Sequence, residues 1–316
     1  MVPTSTSAPA EFASAPSSAV VHFRRILVAF DESDQAAWAL KVGAAWAAKL
    51  GGEVGLLHVM APMPLASSGG EAEPMVGVRE ASALLGAAAA KVGPTIHVER
   101  LLREGDAAEQ ITAVAGDWKA DLVVLGTHGR RGIQRLLLGS VAAGVVKQAR
   151  CPVLCVGHDA GDCQARRVLV PVDRSPQSSW AVETACVLAG AMGAGVQLLH
   201  VTPFPGPLEP GYGLASEALS EALKANAEEY LNTICTDFER SHSVCRNVRQ
   251  GTTANQILLA AAEWDADLIV MGAFSKHGLA GLVLGSTASS ILRSSACPVL
   301  CISHDPHVKD AQPAGR

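Results

Sequence analysis

A single displacement lays one half of this 316-residue chain over the other. A shift of 146 carries Cys151-Pro152-Val153-Leu154-Cys155 onto Cys297-Pro298-Val299-Leu300-Cys301, and Gly139-Ser140 onto Gly285-Ser286. It also takes Asp121-Leu122-Val123-Val124 to Asp267-Leu268-Ile269-Val270, and Trp118 to Trp264. Nearer the start of each half the shift is 142, bringing Asp31 to Asp173, Trp38 to Trp180 and Leu56-Leu57-His58-Val59 to Leu198-Leu199-His200-Val201. The difference falls within 60–103. A repeat of about 140 residues is a whole domain, not a solenoid unit. The chain must therefore fold as two copies of one architecture, and each functional residue can be sought twice.

The repeat divides the chain into a disordered tail at 1–22, a domain at 23–158, a linker at 159–165, a domain at 166–304 and a tail at 305–316. The first segment is rich in Ala, Ser and Pro and lacks a basic start followed by an apolar run, so it reads as a tail, not a signal peptide. No apolar run reaches the roughly 18 residues needed to span a bilayer. A net charge of −5 argues against nucleic acid or an acidic membrane surface as main partner. The expected location is the cytoplasm. Cys-x-x-x-Cys without nearby His or Cys partners is a poor zinc signature, and its spacing puts both thiols on one strand face, so the cysteines read as buried reduced thiols.

Apolar strand patterns alternate with helical ones. In the first half, strands are expected at 25–30, 53–60, 96–102, 121–125 and 153–156, and helices from the Ala-rich stretch ending at Leu50, then at 71–91, 106–116 and 140–150. The second half repeats this from Arg166 to Ile302, with a longer helix at 215–240. Such alternation implies right-handed crossovers and an α/β fold of two tandem doubly wound parallel-sheet domains. Ligands of these sheets bind beyond the carboxyl ends of the strands, where strand order reverses. The loops bearing Asp31 and Asp173, and those starting at Gly126 and Gly272, belong to that edge.

After the fourth strand stands Gly126-Thr127-His128-Gly129, then nine residues, then Gly139-Ser140 opening a helix. Glycines let backbone amides approach a ligand, and a helix start offers free amides and a favourable dipole to an anion. The same residues could equally end a strand, make a turn and cap a helix. Neither the P-loop pattern nor the three-glycine dinucleotide pattern occurs.

This spaced signature resembles the nucleotide-binding signature of the universal stress protein family. Val28-Ala29-Phe30-Asp31-Glu32-Ser33, Leu57-His58-Val59 and Cys151-Pro152-Val153-Leu154 extend the likeness over essentially the whole chain, in two copies. The resemblance implies Rossmann-like, adenine nucleotide alpha hydrolase-like domains that bind ATP. Asp31 would lie by the adenosine moiety, Val59 would offer backbone contacts to adenine, Leu125, Gly126 and Gly129 would line the loop, and Gly139, Ser140 and Val141 would hold phosphates. The second set is Asp173, Val201, Met271, Gly272, Gly285, Ser286 and Thr287. Ser275 replaces the counterpart of Gly129, so the first half is expected to bind ATP more tightly.

Arg130, Arg131 and Arg135 could reach phosphate, and Lys276 and His277 stand in the second copy, although a solvated loop is the favoured reading. His58 and His200 read as packed, hydrogen-bonded residues. Trp38 and Trp46, eight apart, read as core. Asp31 could hold Mg²⁺ with the phosphates or only cap the next helix. No catalytic order of Ser, His and Asp and no metal cluster stands out. The leading reading is an ATP-binding stress-response regulator acting through conformation or a regulatory protein partner. A slow ATPase or nucleotide transferase and a non-binding scaffold are the alternatives. The short apolar final strands, 153–156 and 299–302, are expected to pair within one chain, with a homodimer as a further level of assembly.

Overall fold

The computed structural model describes residues 22–62, 72–127, 138–157, 164–204, 213–238, 244–274 and 284–303. The first half runs β1 (Arg25–Ala29), α1 (Asp34–Leu50), β2 (Glu53–Met60), α2 (Ala72–Ala89), β3 (Val98–Glu104), α3 (Ala107–Asp117), β4 (Leu122–Gly126), α4 (Ser140–Gln148) and β5 (Val153–Val156). The second follows as β6 (Arg167–Pro171), α5 (Pro176–Met192), β7 (Gly195–Thr202), α6 (Gly213–Phe238), β8 (Val244–Gln250), α7 (Thr253–Glu263), β9 (Leu268–Gly272), α8 (Ser286–Ser294) and β10 (Val299–Ile302).

All ten strands form one sheet, in the order β3-β2-β1-β4-β5-β10-β9-β6-β7-β8. Every neighbouring pair is parallel except β5 with β10, which join the halves antiparallel. There Leu154 faces Leu300, its own counterpart in the repeat, while Cys155 faces Val299 and Val153 faces Cys301. A pseudo-twofold axis therefore passes between the two leucines. The final strands pair as their apolar sequences predict.

Alternation along each strand feeds two cores. Ile26 and Val28 of β1 pack on one face with α1 and α2, and Leu27 packs on the other with α3 and α4. Each core runs unbroken across the seam: Leu154 and Leu300 share the first, and Cys155 and Cys301 the second. The central strands are apolar throughout, as burial on both faces requires. The outermost strands, β3 and β8, carry Glu99, Arg100, Arg103, Arg246 and Arg249, charges that discourage further strand addition.

Paired side chains lock the elements. Asp121 Oδ2 accepts the amides of Arg24 and Arg25 at 3.1 and 3.0 Å, tying β4 to the start of β1. Asp267 repeats the clasp on Arg166 and Arg167 at 2.9 and 3.0 Å. Ser33 and Ser175 cap α1 and α5, which end on left-handed Gly51 and Gly193. The seam bond is not repeated: Ser303 Oγ donates to the Val146 carbonyl at 2.9 Å, where the repeat has Gly157 on the other side.

Several boundaries depart from expectation. β3 begins at Val98, two residues later than periodicity suggests, because its register with β2 pairs Val98 with Val54 and runs on to Glu104 beside Met60. Asp106 is a cap, its carboxylate accepting the Glu109 amide, and not a helical residue. Cys151 and Cys297 precede β5 and β10 instead of lying in them, since Pro152 and Pro298 have no amide for the ladder. None of the seven described cysteines is in a disulfide; Cys245 is exposed, against the reading of buried thiols. Hydrogen bonding to Cys301, then burial, push the Cys155 thiol well above its ordinary pKa. No described helix is long and apolar enough to cross a membrane.

Thr184 of α5 is fully buried, and its hydroxyl has no hydrogen-bond partner among the described residues. Val42 of α1 holds the corresponding place. Thr184→Val is expected to stabilise the chain by about 1 kcal/mol by removing an unsatisfied group. A higher urea midpoint with an unchanged slope is the result to look for; a lower midpoint contradicts it.

Candidate functional site

Strand order reverses between β1 and β4, and again between β6 and β9, so each half has a crevice at the carboxyl ends of its strands. Asp31 follows β1 there. Its Oδ1 accepts the Ser33 amide at 3.1 Å and the Ser33 hydroxyl at 2.5 Å, while Ser33 Oγ accepts the Ala36 amide at 3.1 Å. The carboxylate thus braces the capping serine and does not cap α1 itself. Asp173 repeats this with Ser175: the Ser175 amide is 2.9 Å from Oδ1, the Ser175 hydroxyl also donates to Oδ1, and Ser175 Oγ accepts the Ser178 amide at 3.2 Å.

The histidines fit the packed reading. His58 Nδ1 lies 2.7 Å from the Phe30 carbonyl and His200 Nδ1 2.8 Å from the Val172 carbonyl. A carbonyl only accepts, so Nδ1 carries the proton in both rings. Each histidine steadies the turn before its aspartate.

Gly126 and Gly272 have a packing role that the ligand-approach argument does not contain. A Cβ on Gly126 would stand 2.6 Å from Gln35 Cβ, and one on Gly272 would stand 2.7 Å from Gln177 Cβ. The first turns of α1 and α5 therefore sit directly on the ends of β4 and β9. Gly139 and Gly285 precede α4 and α8 without any side-chain cap, unlike Ser33, Ser175 and Asp106 at other helix starts. Their amides turn back to the Thr127 and Ala273 carbonyls at 2.9 and 3.1 Å, drawing each helix start against its strand end. The amides of the first helical turn are left to whatever occupies the crevice.

In the second half the expected residues converge. Asp173, Val201, Met271, Gly272, Gly285, Ser286 and Thr287 all line one cavity of about 240 Å³. Ser178, Thr253, Ile257 and Phe274 line it too, and sequence reasoning missed them. Thr253 and Ile257 come from α7, where only packing against the sheet brings them to the crevice. Ser178 had a readable signal, standing three residues after the capping Ser175.

In the first half, Asp31 follows β1, Val59 lies in β2, Leu125 and Gly126 end β4, and Gly139, Ser140 and Val141 open α4. Val59, Leu125 and Val141 share the core on the α3–α4 face. Gly129, Arg130, Arg131, Arg135, Ser275, Lys276 and His277 lie outside the described residues. A larger cavity, about 570 Å³, opens on the opposite sheet face beside α2, lined by Glu32, His58, Met60, Leu84 and Glu104 among others. None of the expected site residues lines it.

A family model described as the universal stress protein family matches residues 22–157 and again 164–303. The chain belongs to the universal stress protein family. Relatives within it include a universal stress protein of Mycobacterium tuberculosis H37Rv, 31% identical over 192 residues that cover 58% of this chain and 61% of the relative. Another, from Mycolicibacterium smegmatis, is 27% identical over 88% of this chain and 96% of the relative. This chain thus spans about three fifths of the length of the M. tuberculosis relative. The crystal structure of a universal stress protein from Archaeoglobus fulgidus DSM 4304 shares the fold, with TM-score 0.65 and 23% identity over 88% of this chain and 98% of that one. A protein of unknown function from Pseudomonas aeruginosa PAO1 shares it with TM-score 0.63 and 17% identity over 92% of this chain and 96% of its own.

In this universal stress protein, Gly126→Ala and Gly272→Ala should each destabilise the chain by about 1–3 kcal/mol, because the methyl group meets the root of the helix facing it. Denaturant unfolding measures this. Stability equal to that of the unsubstituted chain would leave the two glycines with a ligand role alone.

Proposed function

We propose that this universal stress protein is an ATP-binding regulator whose conformation or affinity for a protein partner follows nucleotide occupancy. One observation carries the reading: all seven second-half positions singled out by the family resemblance surround a single cavity at the carboxyl edge of the sheet. They come from three strands or turns and one helix start that are far apart in sequence. The cavity is slightly smaller than the ~300 Å³ lower end of common small-molecule sites, which suits a nucleoside with its phosphates running outward. The uncapped start of α8 fits that arrangement, since its amides and dipole favour an anion.

In this reading Asp173 faces the sugar side, the Val201 backbone meets the base, and Gly285, Ser286 and Thr287 receive phosphate. Asp31, Val59, Leu125, Gly126, Gly129, Gly139, Ser140 and Val141 do the same in the first half. Mg²⁺ would travel with the phosphates, as it is held mainly by ligand oxygens and few carboxylates. A cytoplasmic setting and a homodimer belong to the same proposal.

Mass spectrometry of small molecules released on denaturing the purified chain, followed by calorimetric titration with ATP, tests the reading. An adenine nucleotide in the supernatant and a saturable heat support it; neither signal with any nucleotide would refute it. Ser286→Asp is expected to weaken the second site tenfold or more, a penalty of about 1.4 kcal/mol or greater, by placing a carboxylate against the phosphates. Ser140→Asp should do the same to the first.

A further inference from the structure

The turns that carry Asp31 and Asp173 match in spacing and differ in backbone. Glu32, between Asp31 and Ser33, has a φ of 65°, in the left-handed region that disfavours side-chain-bearing residues. Its counterpart Arg174 is not among the residues with positive φ. Lys119 and Asp265, by contrast, keep such a feature in both copies, at 52° and 47°.

Two hydroxyls are specific to the second turn. Ser178 Oγ accepts the Asp173 amide at 2.9 Å and donates to Asp173 Oδ1 at 2.7 Å. Tyr230 of α6 donates its hydroxyl to the Asp173 carbonyl. Both peptide groups flanking Asp173 and one carboxylate oxygen are thereby held from outside the turn. The first half has Ala36 at the place of Ser178 and Leu84 at the place of Tyr230. The second correspondence holds in space: Leu84 shares a cavity wall with His58, and Tyr230 lies edge-on to His200 with ring centroids 5.4 Å apart. Arg174 completes the cluster, its guanidinium 4.9 Å above the Tyr230 ring and 2.5 Å from Asn226 Oδ1. Burial, and after it the Asp173 charge, raise the Tyr230 pKa far above the ordinary tyrosine value, so the hydroxyl remains a donor.

We propose that Tyr230 and Ser178 are positioning residues that set Asp173 at the wall of the second-half cavity before a ligand arrives, whereas the first half must reset its turn on binding. This rests on the nucleotide reading above. Fixing the turn in advance removes an ordering cost from binding.

Titrating ATP into the full chain carrying Ser140→Asp, which weakens the first site tenfold or more, separates the second site's binding from the first's. In that background Tyr230→Phe, which keeps the ring, and Ser178→Ala should each weaken ATP binding about tenfold. The reciprocal graft, Leu84→Tyr with Ala36→Ser in a chain carrying Ser286→Asp, should strengthen the first site by a similar factor. A purely structural role for the hydroxyls gives no such gain. ATP binding to the unsubstituted chain, with neither the losses nor the gain, overturns this inference alone. A chain that takes up no ATP overturns the nucleotide reading and this inference with it.

Discussion

The antiparallel pairing of β5 with β10 is the constraint on which the rest of the molecule depends. Each strand is four residues long and buried along its whole length. Left unpaired, either would present an apolar edge to water or to another chain. Pairing each with its own repeat image removes both edges at once. It also merges two half-sheets into one and lets both hydrophobic cores continue across the seam. Because the strands within each half are parallel and the halves meet antiparallel, the two carboxyl edges point in opposite directions. The two crevices are therefore separate sites on one continuous sheet.

Within each crevice, the residues expected at a ligand site also hold the fold together. Asp31 and Asp173 brace the serines that cap α1 and α5, and the glycines ending β4 and β9 admit those same helices at close range. His58 and His200 hold the carbonyl just before each aspartate. In the second half a ligand at this edge would meet an aspartate held in addition by Ser178 and Tyr230, which is the condition for a low ordering cost on binding. The starts of α4 and α8 contrast with this. They lack side-chain caps, so the amides of their first turns remain available.

The repeat is not faithful everywhere, and several of its departures lie around Asp173. The half with Ser275 in place of the loop glycine is also the half with Ser178 and Tyr230. Across the sheet, the space that Tyr230 and Arg174 occupy corresponds to the wall of an open cavity beside α2 in the first half. Duplicated domains that share a fold can thus differ in how firmly one aspartate is held, through side chains on the helices around it.

The sequence by itself determined the duplication, the alternation of strands and helices and the positions of the conspicuous aspartates and glycines, because hydrophobic period and turn chemistry are local properties. Through the family resemblance it carries, it singled out seven second-half residues that share one cavity. It could not say why Asp121 and Asp267 recur, since their partners, the opening amides of β1 and β6, are about a hundred residues away along the chain. The collision awaiting a side chain at Gly126, the part played by α7 in the crevice and the left-handed Glu32 were equally out of reach. Tertiary structure alone decided these, because each depends on a distance between segments that the chain brings together only after the sheet has formed.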